Sequence, residues 1–507
     1  MKTPSNDLYQ LVKSLTKSEK RYFKVNSVRG QKATKYLKIF EAMDQMDEYD
    51  EEELKKKFRN EPWIERFNAA KDYLNKALLD SLVQYNQSNE PQYRLADMIL
   101  HIRVLQGKGF YSRCQRMINK AKKLAEELND YHRLLELLEI EGLNHPAGIN
   151  SSNRESILEN QLDALEKLES EYRYGNIYKF SFEIFATSGY SGIHKGEENI
   201  RKSKQLTNDP LFTDFGNAKT FQSKWRFINM HYINSVGNRD LDEMYKWIMR
   251  AYVLFEQNPK LKLQHALSYA VTLLNLQEAR GKRKEYKSAL EIADILRSFY
   301  PRHLLKKHDR LTYFIDYGST HQELELLCKM GEHERALDRI PGFRKLQKTY
   351  KLEISDDIFL QQAYLEAQIF FGSGEFEKAN RVLDQIIRSG IEVRKDLQKK
   401  ARILLLASYY ETEKFELLDY GLRSTYRLFQ RNKTLTDFDK AIFKLLRFSL
   451  DQFEDKEQSG KLAKELEELK GSGDSDVDYA EIIQWCRAKM EGLSLAEMAQ
   501  KEAKIKP

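Results

Sequence analysis

Ten histidines, three cysteines and a charged fraction of 32% are the raw material for chemistry in this chain, and spacing decides what they can do. His303 and His308 stand five apart, which on a helix turns them to different faces. His321 and Cys328 stand seven apart and share a face, but two donors fall short of a zinc ligand set. Both pairs read as structural. Asp474, Asp476 and Asp478 alternate as the first ligands of a calcium-binding loop do. The match then fails, because Tyr479 stands where such a loop needs glycine and Trp485 where it needs a bidentate glutamate. An acidic loop is the simpler reading. A phosphate-cradling Gly-x-x-x-x-Gly-Lys-Ser/Thr and a His-Glu-x-x-His zinc pair are both missing from the sequence. The expectation is a protein without catalysis, metal or cofactor.

The sharpest local feature is a basic stripe. Thr16 followed by Glu19 forms a capping box, in which the hydroxyl accepts one orphan N–H and the carboxylate accepts another. Behind that cap, Lys17, Lys20, Arg21 and Lys24 fall at i, i+3, i+4 and i+7, on one helix face. Tyr22 and Phe23 turn away from it, and Arg29, Lys32, Lys35 and Lys38 follow. Residues 1–40 hold a net charge of +8, against +7 for the whole chain, so the rest is close to neutral. Two readings stand side by side. The four cations contact phosphate or an acidic partner, with the helices joined at Leu15 forming a helix-turn-helix. Alternatively they are the solvated face of an amphipathic helix, which is the favoured reading because no base-reading residues accompany them.

The elements that would position these residues are helices almost throughout. Tyr36, Ile39, Phe40 and Met43 mark one helix face. The sets Leu95, Met98, Ile99, Ile102, Leu105 and Leu158, Leu162, Leu165, Leu168, Tyr172 repeat the pattern. Asp50 and Glu53 form an acidic capping box, with Tyr49 and Leu54 as its hydrophobic staple. Pro62 and Pro91 suit first turns, where no N–H is required. Pro146, Pro210, Pro259, Pro301 and Pro341 fall between periodic segments. Alternation of period two is not sustained anywhere, and Gly and Pro are too scarce for an all-β fold.

A turn recurs along the chain. It is Gly331-x-His333-x-x-Ala336, then Gly374-x-Phe376-x-x-Ala379. Looser copies start at Gly109, Lys284 and Glu413, with Tyr111/Cys114, Tyr286/Ala289 and Phe415/Leu418 in the aromatic and small positions. Glycine ends one helix, the aromatic wedges between the pair, and the small residue lets the helices approach. This turn resembles that of the tetratricopeptide repeat (TPR). The resemblance implies stacked helical hairpins with a concave partner-binding surface. The spacing of the anchors, 47, 43 and 39 residues from 286 to 415, exceeds that family's repeat length, so longer irregular hairpins are expected. No copy is visible between about 145 and 280. The segment Leu8–Lys24 is similar to the N-termini of uncharacterised bacterial helical-repeat proteins, which implies no activity.

The expected fold is therefore all-α: an α-solenoid of irregular TPR-like hairpins with an N-terminal helical domain. Residues 1–86 form the basic helical domain of about five helices, 87–455 the hairpin array and 456–507 a C-terminal helical cap. Cys114, Cys328 and Cys486 are too few and too far apart for a disulfide framework. With no apolar leader or spanning stretch, a cytoplasmic location off the membrane is expected. The expected function is a non-enzymatic protein-interaction scaffold with a protein or peptide partner. The alternative is a nucleic-acid-associated regulator whose N-terminal module binds phosphate and whose array senses a ligand.

Overall fold

The computed structural model describes residues 6–27, 33–144, 151–188, 197–302, 305, 310–350, 355–390, 394–452 and 479–504. Every regular element among them is helical. His303, His308, Pro146, Arg29, Lys32 and the Asp474–Asp478 loop lie outside the described residues, as does the Leu/Glu/Lys-rich stretch after 456. The chain divides into two compact units, Met1–Glu169 and Ser170–Pro507.

The first unit opens with five α-helices: α1 (Asp7–Ser14), α2 (Lys17–Ser27), α3 (Ala33–Gln45), α4 (Glu51–Lys57) and α5 (Phe67–Asn89). Their core is Val12, Phe23, Ile39, Phe40, Met43, Leu54, Phe67, Leu74 and neighbours. The Asp50 carboxylate accepts from the Glu52 and Glu53 amides, and both staple residues, Tyr49 and Leu54, join that core. The boundary expected after residue 86 falls inside α5, whose last turns are held by Tyr85 against Tyr22. Pro62 stands in a turn ahead of a short 3-10 helix, not in the first turn of a helix. α6 (Pro91–Gly107), α7 (Tyr111–Leu128) and α8 (Tyr131–Leu143) follow, then the long α9 (Ser151–Ser188), in which the division between the units falls. Pro91 opens α6 at its first turn. In α9 the structure corrects the sequence reading: Leu158, Leu162, Leu165 and Tyr172 are exposed. The buried positions are Ile157, Ala164 and Tyr174: small Ala164 joins the core of α6–α8, and Tyr174 is buried in the core of the second unit.

The second unit continues through α10 (Glu197–Thr207) and α11 (Pro210–Thr213) into paired helices. These are α12 (Phe221–Gly237) with α13 (Leu241–Glu256) and, after α14 (Pro259–Gln264), α15 (Ala266–Lys282) with α16 (Tyr286–Ser298). Then come α17 (Arg310–Tyr313), a π turn over Phe314–Gly318, and α18 (Ser319–Lys329) with α19 (His333–Thr349). The pairs α20 (Asp356–Gly372) with α21 (Phe376–Arg388) and α22 (Lys395–Glu411) with α23 (Phe415–Arg431) follow. The chain ends with α24 (Asp437–Gln452), α25 (Ala480–Glu491) and α26 (Leu495–Lys504). The two helices of each hairpin pack together, and the first helices of successive hairpins also touch: α15 on α18, α18 on α20, α20 on α22 and α22 on α24.

The hairpins share one turn. At Gly331 (φ 72°) the amide bonds the Cys328 carbonyl at 3.0 Å, and the Glu332 amide bonds the Leu327 carbonyl at 2.9 Å. This is the Schellman closure, with a left-handed residue satisfying orphan carbonyls at the helix end. The same pair of bonds closes the first helix at Gly109, Lys284, Gly374 and Glu413, all with positive φ. It also closes α12 at Arg239 (φ 57°), inside the stretch where the sequence showed no copy. The signal is hidden there because none of the three marks is present: Arg239 stands for the glycine, Leu241 for the aromatic and Met244 for the small residue. The small position is buried in every copy: Cys114, Ala289, Ala336, Ala379 and Leu418 are fully enclosed, as is Met244 in the added one.

Two expectations are corrected here. Pro341 is not between elements but inside α19. It leaves the Leu337 carbonyl without its usual donor, yet Ile340 and Phe343 keep that turn anchored in the core. The aromatic does not wedge deeply either. Phe376 is half-buried, edge-on to Phe371 at 5.3 Å, while Phe415 meets Tyr410 at 6.2 Å and is largely exposed. The ring stacks at the hairpin mouth, on the residue three before the turn. His333 is the exception: it is buried against α20, where a Cβ on Gly372 would overlap its ring.

Candidate interaction surfaces

The basic stripe sits on α2. Thr16 and Glu19 make the reciprocal cap, with Thr16 N–H to Glu19 Oε2 at 2.7 Å and Glu19 N–H to Thr16 Oγ1 at 3.2 Å. Phe23 points into the core against Phe40, with ring centroids 4.9 Å apart. The four cations then separate into two classes. Lys20 pairs with Asp44 at 2.5 Å and Lys24 with Glu41 at 3.4 Å, both carboxylates standing on α3. Lys13 adds a bond to the Asp44 carbonyl at 2.8 Å. Lys17 and Arg21 are exposed and have no ion pair among the described residues. Further along, Lys38 pairs with Glu61 at 2.6 Å and Lys35 lies over the Tyr36 ring at 4.8 Å. The stripe seen in the sequence is half neutralised by a neighbouring helix, a contact no local pattern reveals.

The first-helix face of the second unit is the surface that the TPR resemblance marks for a partner. The chain's own C-terminal helices lie on it. Glu481 of α25 accepts from the Tyr364 hydroxyl of α20 and stands 3.5 Å from Lys400 of α22. Trp485, buried, donates to Glu411 of α22 at 2.5 Å, and Lys489 reaches the same carboxylate at 2.7 Å. α26 contacts α18, and its Ala496 and Ala499 lie against the Gly331 turn. Lys284, in an earlier turn, bonds the Glu502 carbonyl at 3.4 Å. These helices fold back along the hairpins and share their core through Tyr479, Ile482, Trp485 and Cys486. Tyr479, at their start, also reaches α24, where it stacks on Phe438 and donates to Asp439 at 2.8 Å.

The opposite side carries an open groove of about 650 Å³. Its walls are α19 and α21 and its floor is α20. Phe370 lies at the centre, with the Arg344 guanidinium 5.9 Å from its ring on one side and the Lys378 ammonium 5.9 Å on the other. Phe359 is 46% exposed at one end. Lys348 and Arg381 complete a rim of four cations. The single lining carboxylate, Glu366, is buried and held by Arg344. The sequence reading missed this site because its cations come from two helices 30 or more residues apart, which nothing in the local pattern brings together.

The remaining reactive groups are enclosed. His321 rests among the rings of Tyr317 and Phe343. Burial pushes the Cys328 thiol up to about 12, and burial likewise raises Cys114 and Cys486, so none is poised as a thiolate. His265 stacks on Phe221 at 5.2 Å, its Nε2 finds no bond, and burial beside Arg226 lowers it to about 4. Among the described residues no cluster of three His, Cys, Asp or Glu could hold a metal, and no helix is long and apolar enough to cross a membrane. The small-residue positions Ala336 and Ala379, with Gly331 and Gly374, occupy the hairpin turns and no cavity. The chain matches no protein-family model, no curated protein and no solved structure.

Proposed function

We propose that this protein is a non-enzymatic interaction scaffold, an irregular α-solenoid of TPR-like hairpins that holds a protein or peptide partner in the cytoplasm. The observation that carries the reading is the repeated hairpin itself. One Schellman turn closes each first helix, and successive first helices lean on one another. Such stacking extends a surface along one direction, which suits recognition of an extended partner. The first-helix face is engaged by α25 and α26, so the partner is assigned to surface those helices leave open.

The nucleic-acid reading has less support. Two of the four stripe cations are committed to Asp44 and Glu41. The remaining pair, Lys17 and Arg21, gives a shallow salt dependence at best, since each neutralised phosphate contributes a slope of about −0.9 on a duplex. Affinity capture of the intact protein from its own cells, with and without nuclease, separates the readings. A nuclease-resistant protein partner is the expected result. Loss of all bound material on nuclease treatment, together with loss of binding in a Lys17→Glu/Arg21→Glu variant, would replace the scaffold reading with the regulator.

A further inference from the structure

We propose that the groove between α19 and α21 takes an acidic peptide segment that inserts one apolar side chain against Phe359 and Phe370. The inference rests on the scaffold reading and names its partner's chemistry. Three observations carry it. The rim holds four cations, and of these Lys348 and Arg381 are exposed with no ion pair among the described residues. The one lining carboxylate is satisfied by Arg344, so it does not neutralise the rest of the rim. The floor is apolar, and Phe359, nearly half exposed, has no ring partner among the described residues. A volume of about 650 Å³ accommodates several side chains and lies within the range of pockets that enclose a ligand.

The charge pattern selects a peptide over a nucleic acid. A phosphate backbone brings a charge at every step, and it would approach Glu366 and the apolar floor with nothing to pair there. An acidic peptide places carboxylates at the rim and an aliphatic or aromatic side chain on the floor, which satisfies both surfaces. Buried aromatic contacts of this kind dominate binding energy, while the rim charges steer the encounter and set the salt dependence.

The test uses the full chain. A phage-displayed library of random short peptides is panned on it, and enriched peptides are synthesised with a fluorophore and titrated by anisotropy. The expected consensus holds two or more Asp/Glu around one Leu, Ile, Phe or Trp. Lys348→Glu/Arg381→Glu is expected to weaken binding about tenfold or more, and Phe359→Ala by a similar factor. Arg427→Glu, on exposed α23 outside the groove, is expected to leave binding unchanged, and circular dichroism confirms that all variants stay helical. Peptides without acidic residues, or peptides indifferent to the groove variants, overturn the groove assignment and leave the scaffold reading standing. Failure to enrich any peptide counts against both. Tighter binding of single-stranded oligothymidylate than of any peptide, lost in the Arg381 variant, overturns the peptide in favour of a nucleic acid.

Discussion

Gly331 and Gly374 occupy the same place in successive hairpins, and replacing each by alanine separates turn strain from helix docking. Their φ values are 72° and 75°, so the backbone penalty is the same for both. A Cβ in the left-handed region costs ~1–2 kcal/mol, offset by ~0.4–1 kcal/mol from the stiffer unfolded chain. Gly374→Ala should therefore destabilise by ~1 kcal/mol, since an added Cβ meets no atom within 4 Å. At Gly331 the new methyl would overlap the Ala496 carbonyl and come within 3.0 Å of Ala499 Cβ and Gln500 Cγ. Backbone of α26 must move, which adds ~1–3 kcal/mol of overpacking. The assay is native-state hydrogen exchange on the intact chain, following the amides of Leu495–Lys504 beside the global unfolding midpoint. Gly331→Ala is expected to lose protection in that helix, and Gly374→Ala to keep it. Equal protection in the two variants would refute the placement of α26 on the Gly331 turn, and with it the argument that the first-helix face is self-engaged.

Three further outcomes are expected. Glu413→Gly and Lys284→Gly remove left-handed strain at exposed turns and should each raise stability by ~0.5–1 kcal/mol, read from denaturant midpoints. Glu323, 5% exposed, lies between Arg297 and Arg339, the latter at 3.1 Å, and joins α16, α18 and α19. Glu323→Gln leaves Arg339 without its counter-charge and Arg297 with Asp294 at 3.9 Å, and should cost ~1–3 kcal/mol, whereas a Glu332→Gln control, whose partner Arg335 is exposed, should cost under ~1 kcal/mol. His265 is lowered from 6.5 to about 4 in the fold, so the unfolded chain binds its proton first. Its contribution is complete above pH 6.5 and is lost as pH falls towards 4, by up to ~3 kcal/mol at ~1.4 kcal/mol per pH step. Comparing midpoints of the parent and His265→Phe between pH 7 and 4.5 checks this, and an unchanged pH slope would sink it.

Helix class and helix starts were legible because their causes are local. Thr16 with Glu19 and Asp50 with its following amides are decided within four residues, and both caps form. The hairpin turn was legible where glycine, or the aromatic and small positions behind it, mark the pattern, as at Gly331, Gly374, Lys284 and Glu413. At Arg239 the same backbone is held at a steric cost with none of those marks beside it. Pro341 misled for the converse reason. Its local cost is real, but Phe343 and Ile340 bind the helix to a core assembled from distant segments. The Leu158–Leu165 stripe misled because periodicity finds a face without saying which face meets small Ala164 and its partners. The candidate groove was illegible throughout. Arg344 and Lys378 meet across Phe370 only once α19, α20 and α21 have packed.

If the chain acts as the scaffold proposed above, the C-terminal helices change where recognition would belong. A row of first helices presents Tyr364, Lys400 and Glu411, and in an open array these would be the partner's polar anchors. Here Glu481, Trp485 and Lys489 satisfy all three, with the Trp485 ring edge-on to Tyr410 at 5.6 Å. A partner on that face would have to displace a buried tryptophan and leave the Glu411 carboxylate without its donors, a cost of several kcal/mol on each count. Among the described residues no helix competes for the second-helix side. There Lys348 and Arg381 are exposed with no ion pair among the described residues, and Phe359 is nearly half exposed, so a peptide would displace no helix of the chain there. On the proposed scaffold, the balance of desolvation and displacement therefore favours the side opposite the one that hairpin resemblance alone would choose.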